Sequence, residues 1–308
     1  MANLNTIINL VVCGVASALG TGFKGCRPYL KKTQELWLVS RGFVFDGARA
    51  LDATYAEELQ AEGKLIVVKK IQGFTDNSSE DQIETLENGV KRTTTLGLYE
   101  FLVNFINGIY FHSALTSLNS FGSYDVLFVD TEGNIIGTKA SNGGLKGFSV
   151  GMLQASRLTF ATDTTGQREG LAFQLTDRAE LDENYVFIQK QSTFDPRTLE
   201  GVNEVDLEYV NAPAAADTTL TIKATLRQSG AVLSGLAFGD FLVKKNSVVA
   251  NPTAGDDSVT AGTYPLTIAA PVSTDVIDSS LYDNANSRIA VVSDGALYKS
   301  NTITATVA

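Results

Sequence analysis

Residues 78–95 read SSEDQIETLENGVKRTTT. Asn88-Gly89 between two strand-like runs is a strong short-range signal for a chain reversal, so this stretch is expected to form a β-hairpin. Alternation places Ile83, Thr85 and Glu87 on one side of the first strand and Glu84 and Leu86 on the other. The return strand adds only Val90 among Lys91, Arg92 and threonines. Neither face offers much to bury, and a lone two-stranded ribbon is marginal in water. Such a hairpin needs a partner, and its unpaired edge N–H and C=O groups are what another strand would bind.

The rest of the composition leans towards β structure, with many Thr, Val, Gly and Ser and a single Trp in 308 residues. A net charge of −10 argues against sequence-independent nucleic-acid binding and against docking on an anionic membrane. Two cysteines, Cys13 and Cys26, are too few for a disulfide framework and have no metal-type spacing, which fits synthesis in a reducing cytoplasm. The opening MANLNTIINLVVCGVASALGTG lacks the basic start of a secretion signal, and Gly14 interrupts its apolar run. It reads as a buried strand or helix of the mature protein.

Composition shifts near Phe194-Asp195-Pro196, dividing the chain into residues 1–195 and 196–308. In the first part, 33–39 and 64–71 are expected strands. Asp52 is expected to cap a short helix through Tyr55, Ala56 and Leu59 that Gly63 closes. Leu98, Phe101, Leu102, Phe105, Ile106 and Ile109 recur at helical spacing and are expected to pack one helix onto a sheet. Strands are expected at 125–130 and 134–137 around Glu132-Gly133, and at 156–161 and 170–176 around Asp163-Thr164-Thr165-Gly166. In the second part, Val205/Leu207/Tyr209, Leu220/Ile222/Ala224/Leu226, Phe241/Val243, Tyr264/Leu266/Ile268, Ile289/Val291 and Ile303/Ala305/Val307 alternate with period two. Six or seven short strands there point to an Ig-like sandwich without the Cys pair and core Trp of antibody domains. The expected fold is therefore mainly β: an antiparallel sandwich or barrel-like domain with one packed α-helix, then a C-terminal Ig-like β-sandwich.

The search for chemistry nominates no catalytic, cofactor-binding or metal-binding residue. The one histidine, His112, would have to serve any Ser-His-Asp or Cys-His site and reads better as a core-edge or interface residue. Cys26 has basic neighbours but no indicated base. Gly20-Thr21-Gly22-Phe23-Lys24-Gly25 lacks the Gly-Lys-Ser/Thr ending of a phosphate loop, and Asp76–Asp81 lacks the central Gly of a calcium loop. An enzyme is the least favoured class, and no cofactor is expected.

An unburied ribbon, two β-rich modules and no catalytic constellation point to self-assembly through strand addition. The inter-subunit hairpin is expected to use Asp81, Ile83, Thr85, Leu86, Asn88, Gly89, Val90, Arg92 and Thr94. The antiparallel strands, single amphipathic helix and polar hairpin of the first 195 residues resemble the tail tube, or major tail, proteins of tailed bacteriophages. The run TTGQREGLAFQLTDRAELD is similar in texture to phage structural proteins. The resemblance implies a virion protein, assembled in the host cytoplasm, that forms stacked six-fold rings around a DNA channel. Its partners would be itself and other virion proteins, with genomic DNA as non-sticking cargo repelled by acidic walls. The Ig-like part, Asn203–Ala308, would face outward, with weak surface-glycan contact as a further role. A capsid decoration or head-fibre protein, or a cell-surface adhesion module, fits the same organisation.

Overall fold

Strands with period-two alternation are the commonest element of the computed structural model, which describes residues 3–5, 31–190, 193–257, 259–284, 289–293 and 296–308. The fold is mainly β. The chain divides into two compact units: Lys64–Leu199 with the chain up to Ala56, and Glu57–Gly63 with Glu200–Ala308. The helices α1 (Ala53–Ala61), α2 (Ile109–Ser117) and α3 (Arg178–Asp182) are all short. Asp52 caps α1 by accepting from Tyr55 N at 2.8 Å, and Gly63 closes it with φ +73°.

The first unit carries β1 (Thr33–Ser40), β2 (Leu65–Val68), β3 (Gly73–Asp76), β4 (Gln82–Thr85), β5 (Lys91–Thr95) and β6 (Glu100–Phe105). After α2 come β7 (Tyr124–Asp130), β8 (Ile135–Lys139), β9 (Leu145–Lys146), β10 (Phe148–Ala155), β11 (Glu169–Leu175) and β12 (Tyr185–Ile188). All except β4 and β5 join one sheet, whose main path runs β12-β8-β7-β10-β11-β6-β3, with β1 and β2 branching from β7 and β9 pairing with β8. β1 pairs along the whole of β7. The other edge of β7 is shared: Asp125 and Val126 meet β10, while Phe128 and Val129 meet β8. After Ser149, β10 leaves β7 and continues against β11, with a register shift between Val150 and Met152. A core forms from Leu36, Leu38, Val126, Phe128 and Phe148 together with Phe101, Val103, Phe105, Leu171 and Phe173. The ring centroids of Phe101, Phe128 and Phe173 lie 5.4–6.0 Å apart. Trp37, Val39, Leu127 and Val129, on the opposite faces of β1 and β7, are buried too. Burial on both faces explains why LWLV and VLFV are continuous apolar runs.

Two expectations for this unit are corrected. The stripe Leu98, Phe101, Leu102, Phe105, Ile106 and Ile109 is not a helix: Glu100–Phe105 is β6, flanked by β3 and β11. Phe101, Val103 and Phe105 alternate into the core, and Val103, fully buried, lies off the helical stripe. Ile106 and Ile109 are exposed, and Leu98 precedes the strand. The helix starts only at Ile109, after Gly108 turns the chain at φ +94°. The buried carboxylate of Glu169 fixes that junction by accepting from Asn107 N at 3.0 Å and Gly108 N at 3.2 Å. Likewise the strand expected at 156–161 lies earlier, at β10. Its partner β11 begins at Glu169, so ladder pairing ends with Ser156 N on Gly170 O. Beyond it only Thr159 and Arg168 bridge, and Phe160 is exposed.

The second unit holds β13 (Val202–Tyr209), β14 (Thr219–Leu226), β15 (Phe241–Lys245), β16 (Val248–Val249), β17 (Thr263–Thr267), β18 (Val276–Leu281), β19 (Val291–Ser293), β20 (Ala296–Ser300) and β21 (Ile303–Thr306). They form two sheets, β17-β14-β13-β20-β19 and β16-β15-β18-β21, over one apolar core. In chain order, β17-β14-β13 matches the E-B-A edge and β16-β15-β18-β21 the C′-C-F-G sheet of an Ig-like sandwich. The β19–β20 hairpin is an insertion that extends the first sheet, β20 running parallel to β13. From β13, Tyr209 crosses the core to the opposite sheet. Its hydroxyl lies 3.0 Å from Ser279 Oγ and donates toward the Ile277 and Ile303 carbonyls at 3.1 and 3.3 Å. Burial raises the Tyr209 pKa, so the phenol stays protonated. Glu57–Gly63 is part of this unit, with Gln60 Nε2 donating to Glu200 O at 2.7 Å and Ala61 buried beside Ala290 and Leu297.

Strand and helix readings of 100–105 are separated by mutation. Val103→Ala is expected to cost about 2 kcal/mol and Leu102→Ala less than about 1 kcal/mol, read from denaturant midpoints; a helix would reverse the order. Tyr209→Phe leaves the buried Ser279 hydroxyl without its cross-sheet partner and is expected to destabilise by about 1–3 kcal/mol in the same assay.

Candidate self-assembly surface

The SSEDQIETLENGVKRTTT stretch forms the expected hairpin, and its two strands pair with no other strand among the described residues. Every residue of β4 and β5 is exposed. Register runs Ile83↔Thr93, Glu84↔Arg92 and Thr85↔Lys91, and a bulge separates Ile83 from Gln82, which pairs with Thr95. Thr94, in the bulge, donates its hydroxyl to Gln82 O at 3.2 Å.

The reversal is a three-residue loop. Gly89 N donates to Leu86 O and Leu86 N to Val90 O, both at 2.8 Å, with Gly89 at φ +79°. This is a type I turn followed by a left-handed glycine, the usual three-residue hairpin loop. Asn88 Oδ1 accepts from Val90 N at 3.0 Å, so both residues of the Asn-Gly signal hold the turn.

One ribbon face shows Ile83, Thr85, Lys91 and Thr93; the other shows Glu84, Leu86, Val90 and Arg92. Arg92 and Glu84 pair across it at 3.0 Å, an exposed ion pair of small energetic weight. Ile83 and Val90 are 61 % and 54 % exposed. Because 86/90 is a hydrogen-bonded pair, alternation makes 84/92 another and turns the backbone groups of 83, 85, 91 and 93 outward. Both ribbon edges therefore present free donors and acceptors.

The ribbon's foot is fixed by polar contacts. Asn77 N donates to Glu100 O and Ser79 N to Leu98 O, at 2.8 and 3.2 Å. Ser78 and Ser79 hydroxyls accept from Glu100 N and Leu98 N, each at 3.1 Å. Asp81, placed below β4 and not in it, accepts from Gly97 N at 2.8 Å and pairs with Arg178 Nη1 at 2.5 Å. A Cβ on Gly97 would lie 1.8 Å from Ser79 O, so only glycine permits this approach. Arg178 also holds Asp182 at 2.6 Å, and the Tyr99 hydroxyl donates to the same carboxylate. A cleft of about 330 Å³ opens here, lined by Asp81, Ile83, Gly97, Leu98, Tyr99 and Arg178 among others. The Gly97 N–H and then Arg178 hold Asp81 below the usual carboxylate range; the Tyr99 hydroxyl and Arg178 do the same for Asp182.

Sequence reasoning located the ribbon residues but not Tyr99, Arg178 and Asp182. Asp81 and Arg178 are 97 positions apart, and only the topology brings them together. Of the other motifs, His112 lies half-buried on α2, with no partner for Nδ1 among the described residues. Asp76 accepts from Ser78 N and Oγ in a local turn. Among the described residues no group of three or more His, Cys, Asp or Glu is placed to hold a metal, and no helix is long and apolar enough to cross a membrane. Cys13, Cys26, the Gly20–Gly25 loop and most of the N-terminal run lie outside the described residues. No known protein family matches this chain, and no curated protein matches it.

Both foot aspartates titrate below their unfolded values, so their contribution is present above about pH 4 and is lost as pH falls through the lowered values. Asp81→Ala removes the acceptor for Gly97 N. Amide exchange at Gly97 and Leu98 is expected to accelerate at neutral pH, with only a slight fall in the thermal midpoint of the unit.

Proposed function

We propose that this protein is a structural subunit that assembles with copies of itself into stacked rings, as the tail tube of a bacteriophage does. The observation that carries the reading is the ribbon Gln82–Thr95, a formed hairpin with every strand residue exposed and both edges unpaired among the described residues. A second copy of the chain is the partner, completing one edge through backbone hydrogen bonds. Joints of this kind are head-to-tail, and repeated use gives closed rings or filaments. The ribbon's sparse apolar surface fits this use, because backbone pairing supplies the joint and the side chains set its register. The chain's net charge of −10 supports a channel whose walls repel DNA phosphate.

Electron microscopy of the purified protein tests the reading, with rings or tubes expected and a uniform population of monomers or trimers counting for a decoration or fibre protein. Thr93→Pro deletes one outward N–H and leaves the ribbon's internal bonds in place. It is expected to abolish or sharply weaken assembly with the monomer still folded by circular dichroism. Unchanged tubes from Thr93→Pro and Thr85→Pro together would place the joint elsewhere.

A further inference from the structure

Away from the ribbon, four polar side chains converge on the handover from β7 to β10. Asp125 on β7 is wholly buried. Lys146, at the end of β9, places Nζ 3.8 Å from Asp125 Oδ2, 2.9 Å from Glu180 Oε1 and 2.8 Å from Ser149 Oγ. Glu180, on α3, also accepts from Ser149 N at 2.6 Å and Ser149 Oγ at 2.8 Å. The side chains of Lys146 and Glu180 are 19 % and 14 % exposed. Gly147 brings the backbone hard against this group, since a Cβ there would sit 2.9 Å from Asp125 Cβ.

We propose that Lys146 and Asp125 form an intramolecular isopeptide bond, with Glu180 as the proton carrier and Ser149 as a positioning residue. Asp125 Oδ2 accepts from Gly42 N at 2.7 Å, whereas Oδ1 has no hydrogen-bond partner among the described residues. Arg41 Nε lies 3.5 Å from Oδ1, while its Nη1 donates to Val150 O at 2.7 Å. Burial raises the Asp125 carboxyl by more than the Gly42 N–H and the cations of Lys146 and Arg41 lower it, which favours the neutral acid.

The Lys146 ammonium passes one proton to the Glu180 carboxylate, and the freed lone pair attacks Asp125 Cγ. The Gly42 N–H stabilises the charge that builds on Oδ2. Oδ1 leaves as water, carrying the acid's own proton and one from the nitrogen. One C–N bond forms and one C–O bond breaks; the products are a secondary amide, water and protonated Glu180. Reactants held side by side in the fold make the condensation effectively unimolecular. The bond ties β7 to β9 covalently and removes an ion pair from a buried site.

Intact mass of the denatured full-length protein tests this directly. Wild type is expected to be lighter than its sequence by one water, and Lys146→Arg to show no such loss. Tryptic mapping is expected to show no cleavage after Lys146 and a branched peptide joining it to Asp125. A wild-type mass without the loss, or the same loss in Lys146→Arg, overturns the proposal.

Discussion

A strand edge is a row of backbone donors and acceptors that must be satisfied, and the first unit is organised around how each edge meets that demand. β7 is the pivot. One of its edges is filled end to end by β1, and the other is divided between β10 and β8. Sharing one edge between two strands sends them in different directions, so the strands that continue from β10 and from β8 part and enclose a common core. The aromatic cluster of Phe101, Phe128 and Phe173 fills the space so enclosed. Among the described residues, the ribbon is the one hairpin of this unit that stays outside this arrangement.

The second unit meets the demand differently, with two sheets stacked across a core and a polar staple through it. Tyr209 lets Ser279 occupy a fully buried position. A hydroxyl in an apolar interior is costly without a partner, and here the partner comes from the opposite sheet.

Much of this was readable from the residues. LWLV, VLFV, GLAFQL and most of the period-two runs after 200 became strands, whereas Ile289 is exposed and precedes β19. The failures have different physical causes. Leu98 to Ile109 carries helical spacing and strand alternation together, and its position between β3 and β11 decided in favour of the strand. β18 was missed because Ser279 interrupts its apolar alternation, a gap that only Tyr209, seventy residues away, explains. At the ribbon, the turn residues announced themselves, being neighbours in sequence. Tyr99, Arg178 and Asp182 did not, since their meeting depends on the course of β6, β11 and α3. The cluster at Asp125 was invisible for the same reason, as three strands and a helix must be in place before Lys146, Ser149 and Glu180 become neighbours.

The way the ribbon is rooted has a mechanical consequence. Its base is secured by serine hydroxyls, one carboxylate and a guanidinium, and no part of either strand is embedded in the hydrophobic interior. A few polar pins therefore set the ribbon's heading, separately from the packing of the core behind it.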